Sequence, residues 1–582
     1  MTLGRFALLL ALTAQPVALH AQASPRDSLD SFVRAQMARR HIRGLSLAVI
    51  QDGRIVVARG YGVTDDSTAT PVTPTTLFQA GSISKPVAAL GALHLVEAGR
   101  LTLDGDVNGL LTTWHVPDNR FTATEKVTLR RILSHNAGLT VHGFPGYDVN
   151  DPRPSLVQVL DGAAPANTPA IRVDTTPGAI WRYSGGGFTV MQQMMIDVTG
   201  MPFPRYMQRT VLDPIGMTNS SYEQPQPAAR AARTATGYYP DGSPVRGRWH
   251  VYPEMAAAGL WTTASDLARF AIEIQRTLAG RGHGVISPAM ARQYVTVQKD
   301  PSGLGIIVND SGAAQTFGHG GRDEGFDAQL IAFVHSGQGA AIMIDANDDS
   351  RFMGRLLDFI GRAWGWPNSQ AAAPAATRGE QVGIARLTRC AGYYEAAENQ
   401  MVTLAPNADG TGLETIVSGF RDESFLALDT VTFGSAERDL RLGCRADGMR
   451  YRLGDPRERG LPRVAPLPST VTPAADPDPL LTARITAALQ AMRAGGAALA
   501  DAPDITPGAK RDFAGGAGQA LEGMGPLTYV GVEDVTGRGI HRHGGEVARV
   551  RFYAFTIGAV RRYVLVHLTA GDVVTDYDVV AL

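Results

Sequence analysis

Lysine is nearly missing from this chain of 582 residues: only Lys85, Lys126, Lys299 and Lys510 occur, so 50 of its 54 Lys+Arg are arginine. Wherever a plain positive charge suffices, arginine supplies it. The difference is chemical, because an ammonium can lose a proton when buried or crowded by other cations, whereas a guanidinium effectively cannot. Cysteine is scarcer still, with only Cys390 and Cys444 present. That excludes a disulfide-dense scaffold, and it leaves two alternatives, one disulfide or two buried thiols. No His-Glu-x-x-His or comparable ligand spacing occurs, so no catalytic metal or other cofactor is expected. Net charge is missing too, at −1 with histidine neutral. This removes the electrostatic case for nucleic acid or an acidic membrane surface as the main partner. No segment after the N-terminus approaches the ~20 apolar residues of a membrane span.

What is there describes a globular protein, 44% hydrophobic and 19% charged, long enough for two to four domains. Residues 1–23 read as a signal peptide. Arg5 supplies the positive region, Phe6 to Leu12 the apolar run, and Ala21-Gln22-Ala23 a small-residue cleavage site. No cysteine follows it, so a lipid anchor is not indicated, and the expected location is periplasmic or secreted. Residues 24–370 form the expected first domain, and 371–384, with its Ala/Pro run, a linker. Residues 385–465 are strand-like with frequent turns, a small β-domain. Residues 466–480 read as a Pro-rich linker, and 481–582 as a small α+β domain opening on a helix near Ile485 to Met492.

Within the first domain, residues 27–41 suggest an opening helix, and Asp52-Gly53 between two apolar runs signals a β-hairpin. Val87, Leu90, Leu93 and Val96 predict an amphipathic helix from Ser82 to about Gly99, with Pro86 tolerated in its first turn. Ile306 to Val308, Gln329 to Val334 and Ala340 to Ile344 read as strands. A hairpin early and strands late imply one sheet whose edges come from both ends of the domain.

Three segments of this domain carry chemistry. In Ser82-Ile83-Ser84-Lys85, positions i and i+3 share a helical face, so a candidate base lies beside a candidate nucleophile at a helix N-terminus that favours negative charge. Tyr183 precedes Ser184 and Gly185-Gly186-Gly187, a small-residue run that can hold its hydroxyl toward a cleft from a tight loop. His319-Gly320-Gly321 opens a strand whose glycines let a backbone or substrate come close. His135 and Asn136, in Leu133 to Leu139, read as loop-shaping residues, and His541 and His543 as exposed ones.

With these motifs in order, and with Gly259 to Leu267 beside them, the stretch from about 27 to 365 resembles the class C β-lactamase and DD-peptidase-like branch of serine hydrolases. That branch includes esterases and D-aminopeptidases. The resemblance implies an α/β (α+β) serine β-lactamase or penicillin-binding-protein-like domain, an antiparallel sheet flanked by helices, ahead of the two small C-terminal domains. It implies Ser82 as the nucleophile of an acyl-enzyme, with Lys85 and Tyr183 sharing the proton transfers. A free phenol ionises near pH 10, so a tyrosine base needs a cation beside it. The oxyanion would lie between the backbone N–H groups of Ser82 and Arg322. His319, Gly320, Gly321 and Gly185 would line the substrate site, with His319 beside Tyr183 as a hydrogen-bond donor or substrate contact. Two departures bear on substrate: Gly185 stands where the branch usually has asparagine, and His319 where it commonly has lysine. Both favour an ester, or a D-amino-acid peptide or amide, over a β-lactam. The alternatives are a β-lactamase or DD-peptidase, and a catalytically silent envelope binding protein.

Overall fold

The computed structural model describes residues 25–239, 242–299, 301–309, 311–348, 352–367, 369, 381–397, 400–417, 420–435, 440–446, 448–453, 459–466, 473–513, 521, 524–557 and 560–580. The expected signal peptide, residues 371–380 of the first linker and 467–472 of the second lie outside the described residues.

The first part of the chain is built on a six-stranded antiparallel sheet. Helix α1 (Pro25–Arg40) leads into β1 (Gly44–Gln51) and β2 (Arg54–Gly62), joined at Asp52-Gly53, where both residues have positive φ (52° and 65°). Such a turn matches the strand twist and suits Asp-Gly. The chain then passes through α2 (Ser84–Glu97), α3 (Gly185–Thr199), the short α4 (Met255–Ala258) and α5 (Ala264–Leu278). It returns to the sheet as β3 (Ile307–Asn309), β4 (Thr316–Asp323), β5 (Phe326–Phe333) and β6 (Gly339–Ile344), and ends in α6 (Phe352–Trp364).

The strand order is β2-β1-β6-β5-β4-β3, so the early hairpin supplies one edge and the late strands the other. Leu45, Leu47, Val49, Ile342 and Ile344 pack with α1 and α6 on one face. Ala48, Ile50, Ala341 and Met343 join the helical core on the other. Burial of both faces explains why β1 and β6 read as mostly apolar runs rather than alternating ones. Helix α2 departs from expectation. It is the central helix, and every residue from Ser84 to Leu93 is buried, so it has no polar face. Small residues stand where polar ones would otherwise be; a Cβ added at Gly91 would lie 2.6 Å from Met207 Sδ. A helix packed on all sides loses the amphipathic stripe.

Eight strands from Gly392 to Pro466 close into a barrel, the first strand pairing with the last (Gly392↔Pro466). A short helix, Ile384–Cys390, precedes it, starting inside the stretch expected as linker, and Cys390 is disulfide-bonded to Cys444 (Cα–Cα 5.8 Å). Asp422 of the barrel is buried between Arg40 and Arg355 of the first part. The last part has a helix Pro479–Ala494, capped by Asp478, and a four-stranded antiparallel sheet. Tyr393, Val464 and Ala465 of the barrel share a core with Val535, Ile540, Val550 and Leu565 of that part.

Candidate active site

Ser82 lies in a 3-10 turn, Gly81–Ile83, immediately before α2, rather than in the α-helix itself. Gly81 has φ +51°, and a Cβ on it would fall 2.4 Å from the backbone nitrogen of Arg322; one on Gly321 would fall 1.9 Å from Ala80 O. Only glycine at both places lets β4 and the Ser82 turn touch backbone to backbone. That contact brings the Arg322 main chain beside the turn. The Arg322 side chain faces elsewhere, in a two-pronged pair with Asp327 (2.7 Å each). Ser84 Oγ donates to Gly81 O (2.6 Å) and accepts from Leu260 N–H (2.9 Å), pinning the turn from below.

Lys85 is 2% exposed. Its Nζ donates to Ser82 Oγ (2.9 Å) and to Ala257 O on α4 (2.8 Å). It also lies 5.0 Å from the centre of the Tyr183 ring and 5.8 Å from that of Phe188, both within cation–π range. Among the described residues no carboxylate forms an ion pair with it.

Tyr183 lies one residue before the N-cap of α3, Ser184, which accepts from Gly187 N–H (3.0 Å). The three glycines are the first turn of that helix. Three imidazoles surround the Tyr183 ring: His135 stacked at 4.2 Å, His142 at 4.8 Å and His319 at 5.9 Å between centres. His135 Nδ1 accepts from Ser184 N–H (3.1 Å). Burial, then the Lys85 charge, holds its pKa well below the usual histidine value, and the same two causes lower that of His142. His319 is pushed down to about 4, chiefly by burial and next by Lys85. Its Nδ1 faces Gly320 O, a carbonyl that can only accept, so Nδ1 carries the proton and Nε2 the lone pair. Tyr183 Oη and His319 Nε2 are buried with no hydrogen-bond partner, as befits atoms that await a substrate or water.

The fold thus gathers Ser82, Lys85, Tyr183, His319, Gly320, Gly321, Gly185 and the Arg322 backbone, although Gly185 offers no side chain. Sequence reasoning missed His142, Phe188, Ser84 and the Ala257 carbonyl. It read His135 as a loop residue; His135 does turn the loop (φ 55°), and it also supports Tyr183. Two buried acids lay outside the reading as well. Glu254, just before α4, has its pKa pushed up by burial to about 8, and Asp323, at the end of β4, is raised well above the carboxylate range by the same cause. His541 is exposed as expected, but His543 is not: it is half-buried between Asp512 and Asp576.

Sheet and central helix together are those of a serine β-lactamase or penicillin-binding-protein-like fold. The family model described as Beta-lactamase matches residues 29–362, and the chain belongs to that family. It is 27% identical to "Penicillin-binding protein 4" of Amycolatopsis lactamdurans over 374 residues, covering 61% of this chain and 93% of the relative. It is 28% identical to "Beta-lactamase" of Pseudomonas fluorescens over 248 residues, covering 42% and 63%. Among solved structures, the octameric penicillin-binding protein homologue from Pyrococcus abyssi aligns with TM-score 0.52 at 19% identity, over 74% of this chain and 99% of that one. That likeness is one of fold.

Proposed function

We propose that this protein is an exported serine hydrolase that cleaves an ester or amide through an acyl-enzyme on Ser82, with no cofactor. The observation that carries the reading is the buried Lys85 ammonium, 2.9 Å from Ser82 Oγ and without a carboxylate partner among the described residues. A lysine so placed is held by dipoles and rings, leaving it available for proton exchange with the hydroxyl it touches. Ser82 Oγ attacks the carbonyl carbon while its proton passes to the Lys85–Tyr183 pair. The oxyanion is held by the N–H groups of Ser82 and Arg322. The pair then protonates the leaving alcohol or amine, and Tyr183 draws a proton from the water that releases the acyl group.

An ester, or a D-amino-acid peptide or amide, is favoured over a β-lactam. His319, with its pKa lowered to about 4, is neutral near pH 7, so this position offers no cation for a β-lactam carboxylate. The expected signal peptide supports a periplasmic or secreted location. The test is labelling of the folded protein with a fluorophosphonate, then turnover on a chromogenic cephalosporin, a short p-nitrophenyl ester and a D-alanyl anilide. Labelling is expected at Ser82 and absent in Ser82→Ala, with ester or anilide turned over faster than cephalosporin. An unlabelled Ser82 would sink the acyl-enzyme, and a fast cephalosporin would reverse the substrate preference.

A further inference from the structure

Three of the polar groups around Tyr183 have structural duties or lie fully buried, and one does not. His135 is buried and accepts from Ser184 N–H, Lys85 is committed to Ser82 and Ala257, and His319 is buried on β4. His142 is exposed to solvent, packs its ring 4.8 Å from that of Tyr183, and makes no side-chain hydrogen bond among the described residues. Both of its ring nitrogens are available to something outside the protein.

The segment that presents it is fixed with unusual care. Gly185 N–H donates to His142 O (3.0 Å) and Gly186 N–H to Val141 O (3.0 Å), while Ser184 Oγ donates to Thr140 O (2.8 Å). The first N–H groups of α3, which would otherwise lack partners, are therefore spent on holding this loop. Val141 takes a left-handed backbone (φ +62°), uncommon for a β-branched residue. The two glycines make the approach possible: a Cβ at Gly186 would lie 2.5 Å from Thr140 O, and one at Gly185 would lie 3.0 Å from both His142 O and the Phe144 ring. Position 185 offers no side chain to a substrate, and the loop it admits offers His142 on the same wall.

We infer that His142 is a substrate-positioning residue, which hydrogen-bonds an amino or acylamino group on the carbon next to the scissile carbonyl. The inference rests on the reading that Ser82 is acylated. The His142 ring packs on Tyr183, whose ring lies 5.0 Å from the Lys85 ammonium, and its backbone is tied to Gly185, the position that offers a substrate no side chain. A neutral imidazole supplies one donor and one acceptor, which matches an N–H beside a carbonyl. It is a specificity device, outside the proton relay itself.

The experiment compares two p-nitrophenyl esters, butyrate and N-acetyl-D-alaninate, in the wild type, His142→Phe and His142→Gln. Phenylalanine keeps the ring contact and loses the hydrogen bonds; glutamine keeps a donor and an acceptor. The wild type is expected to favour the N-acetyl-D-alanine ester. His142→Phe should lose about tenfold in kcat/KM on that ester, mainly through KM, and under about twofold on butyrate, as for one hydrogen bond. His142→Gln should recover most of the loss. Equal losses on both esters, no loss on either, glutamine behaving like phenylalanine, or a wild type indifferent to the two esters would each overturn the inference. Fluorophosphonate labelling separates the two levels. If wild-type Ser82 is not labelled, the acyl-enzyme falls; if all three proteins label equally and the esters do not discriminate, only the role of His142 falls.

Discussion

Lys85 and Arg542, two of the buried cations of this molecule, are held in opposite ways. Lys85, in the first part, touches a hydroxyl, a carbonyl and two aromatic faces. Arg542, at the junction of the barrel and the last part, is 0% exposed and pairs with Glu395 of the barrel, with Asp576 at 3.6 Å. A guanidinium locked to carboxylates is a permanent tie between two pieces of structure, its desolvation offset by full opposite charge. The Lys85 ammonium has no carboxylate ion pair among the described residues and is held by dipoles and rings instead. The chain has 50 arginines and only four lysines, and Lys85 is the one buried lysine. Lys126 is exposed and Lys510 half-buried, their ammonium groups donating to Asp118 and to the Ala500 carbonyl.

The largest test of this contrast is Lys85→Arg, which keeps the charge and removes the exchangeable proton. Acylation, read as ester kcat/KM, is expected to fall about 10²–10⁴-fold, with the melting temperature little changed. An active arginine variant would erase the distinction between the two sites. Next comes Arg542→Ala, which leaves Glu395 buried without its cation. The loss expected is about 3–5 kcal/mol of stability in the barrel and last part, measured by denaturant unfolding, with the rate of Ser82 labelling unchanged. Arg542→Met should cost less, since it refills the volume.

The smallest effect separates two histidines. His543 has its pKa raised, mainly by its hydrogen bond to Asp576 and also by Asp512, so the folded state binds the proton more tightly than the unfolded chain. Its stabilisation is full below the ordinary histidine value near 6.5 and disappears as pH rises through the raised value. The melting temperature of the junction should therefore drop as pH rises above the ordinary histidine value of about 6.5, and His543→Gln should flatten that drop. His319, lowered to about 4, stays neutral over the same range, so esterase activity should show no step from it. A pH-independent junction would place His543 with the bystanders.

Local chemistry made much of the fold legible. Asp52-Gly53 needs only its own φ angles to turn the chain, and the doubly buried β1 and β6 declare themselves by composition. Helix α2 was misread because its periodic Val and Leu residues look amphipathic until the small residues between them are seen to be packed as well. The barrel strands were visible as strand-like runs between frequent turns, but closure depends on Gly392 meeting Pro466, a pairing between the ends of the domain that neither end announces. Cys390 and Cys444 likewise left bond and thiols open until a 5.8 Å separation decided it. His142 carried no signal at all, since a lone histidine in a Gly/Pro-rich loop is usually surface.

By itself the sequence determined which cation lies beside Ser82, because Lys85 follows at i+3 and the spacing is local. It also determined the order of the three motifs and the glycines that permit close contact. Tertiary structure decided what surrounds that pair: no carboxylate ion-paired with Lys85 among the described residues, three neutral imidazoles around Tyr183, and a backbone contact between Gly81 and Arg322. Those are meetings of segments far apart in the chain. They cost conformational entropy to assemble and leave no trace in the propensity of any one segment.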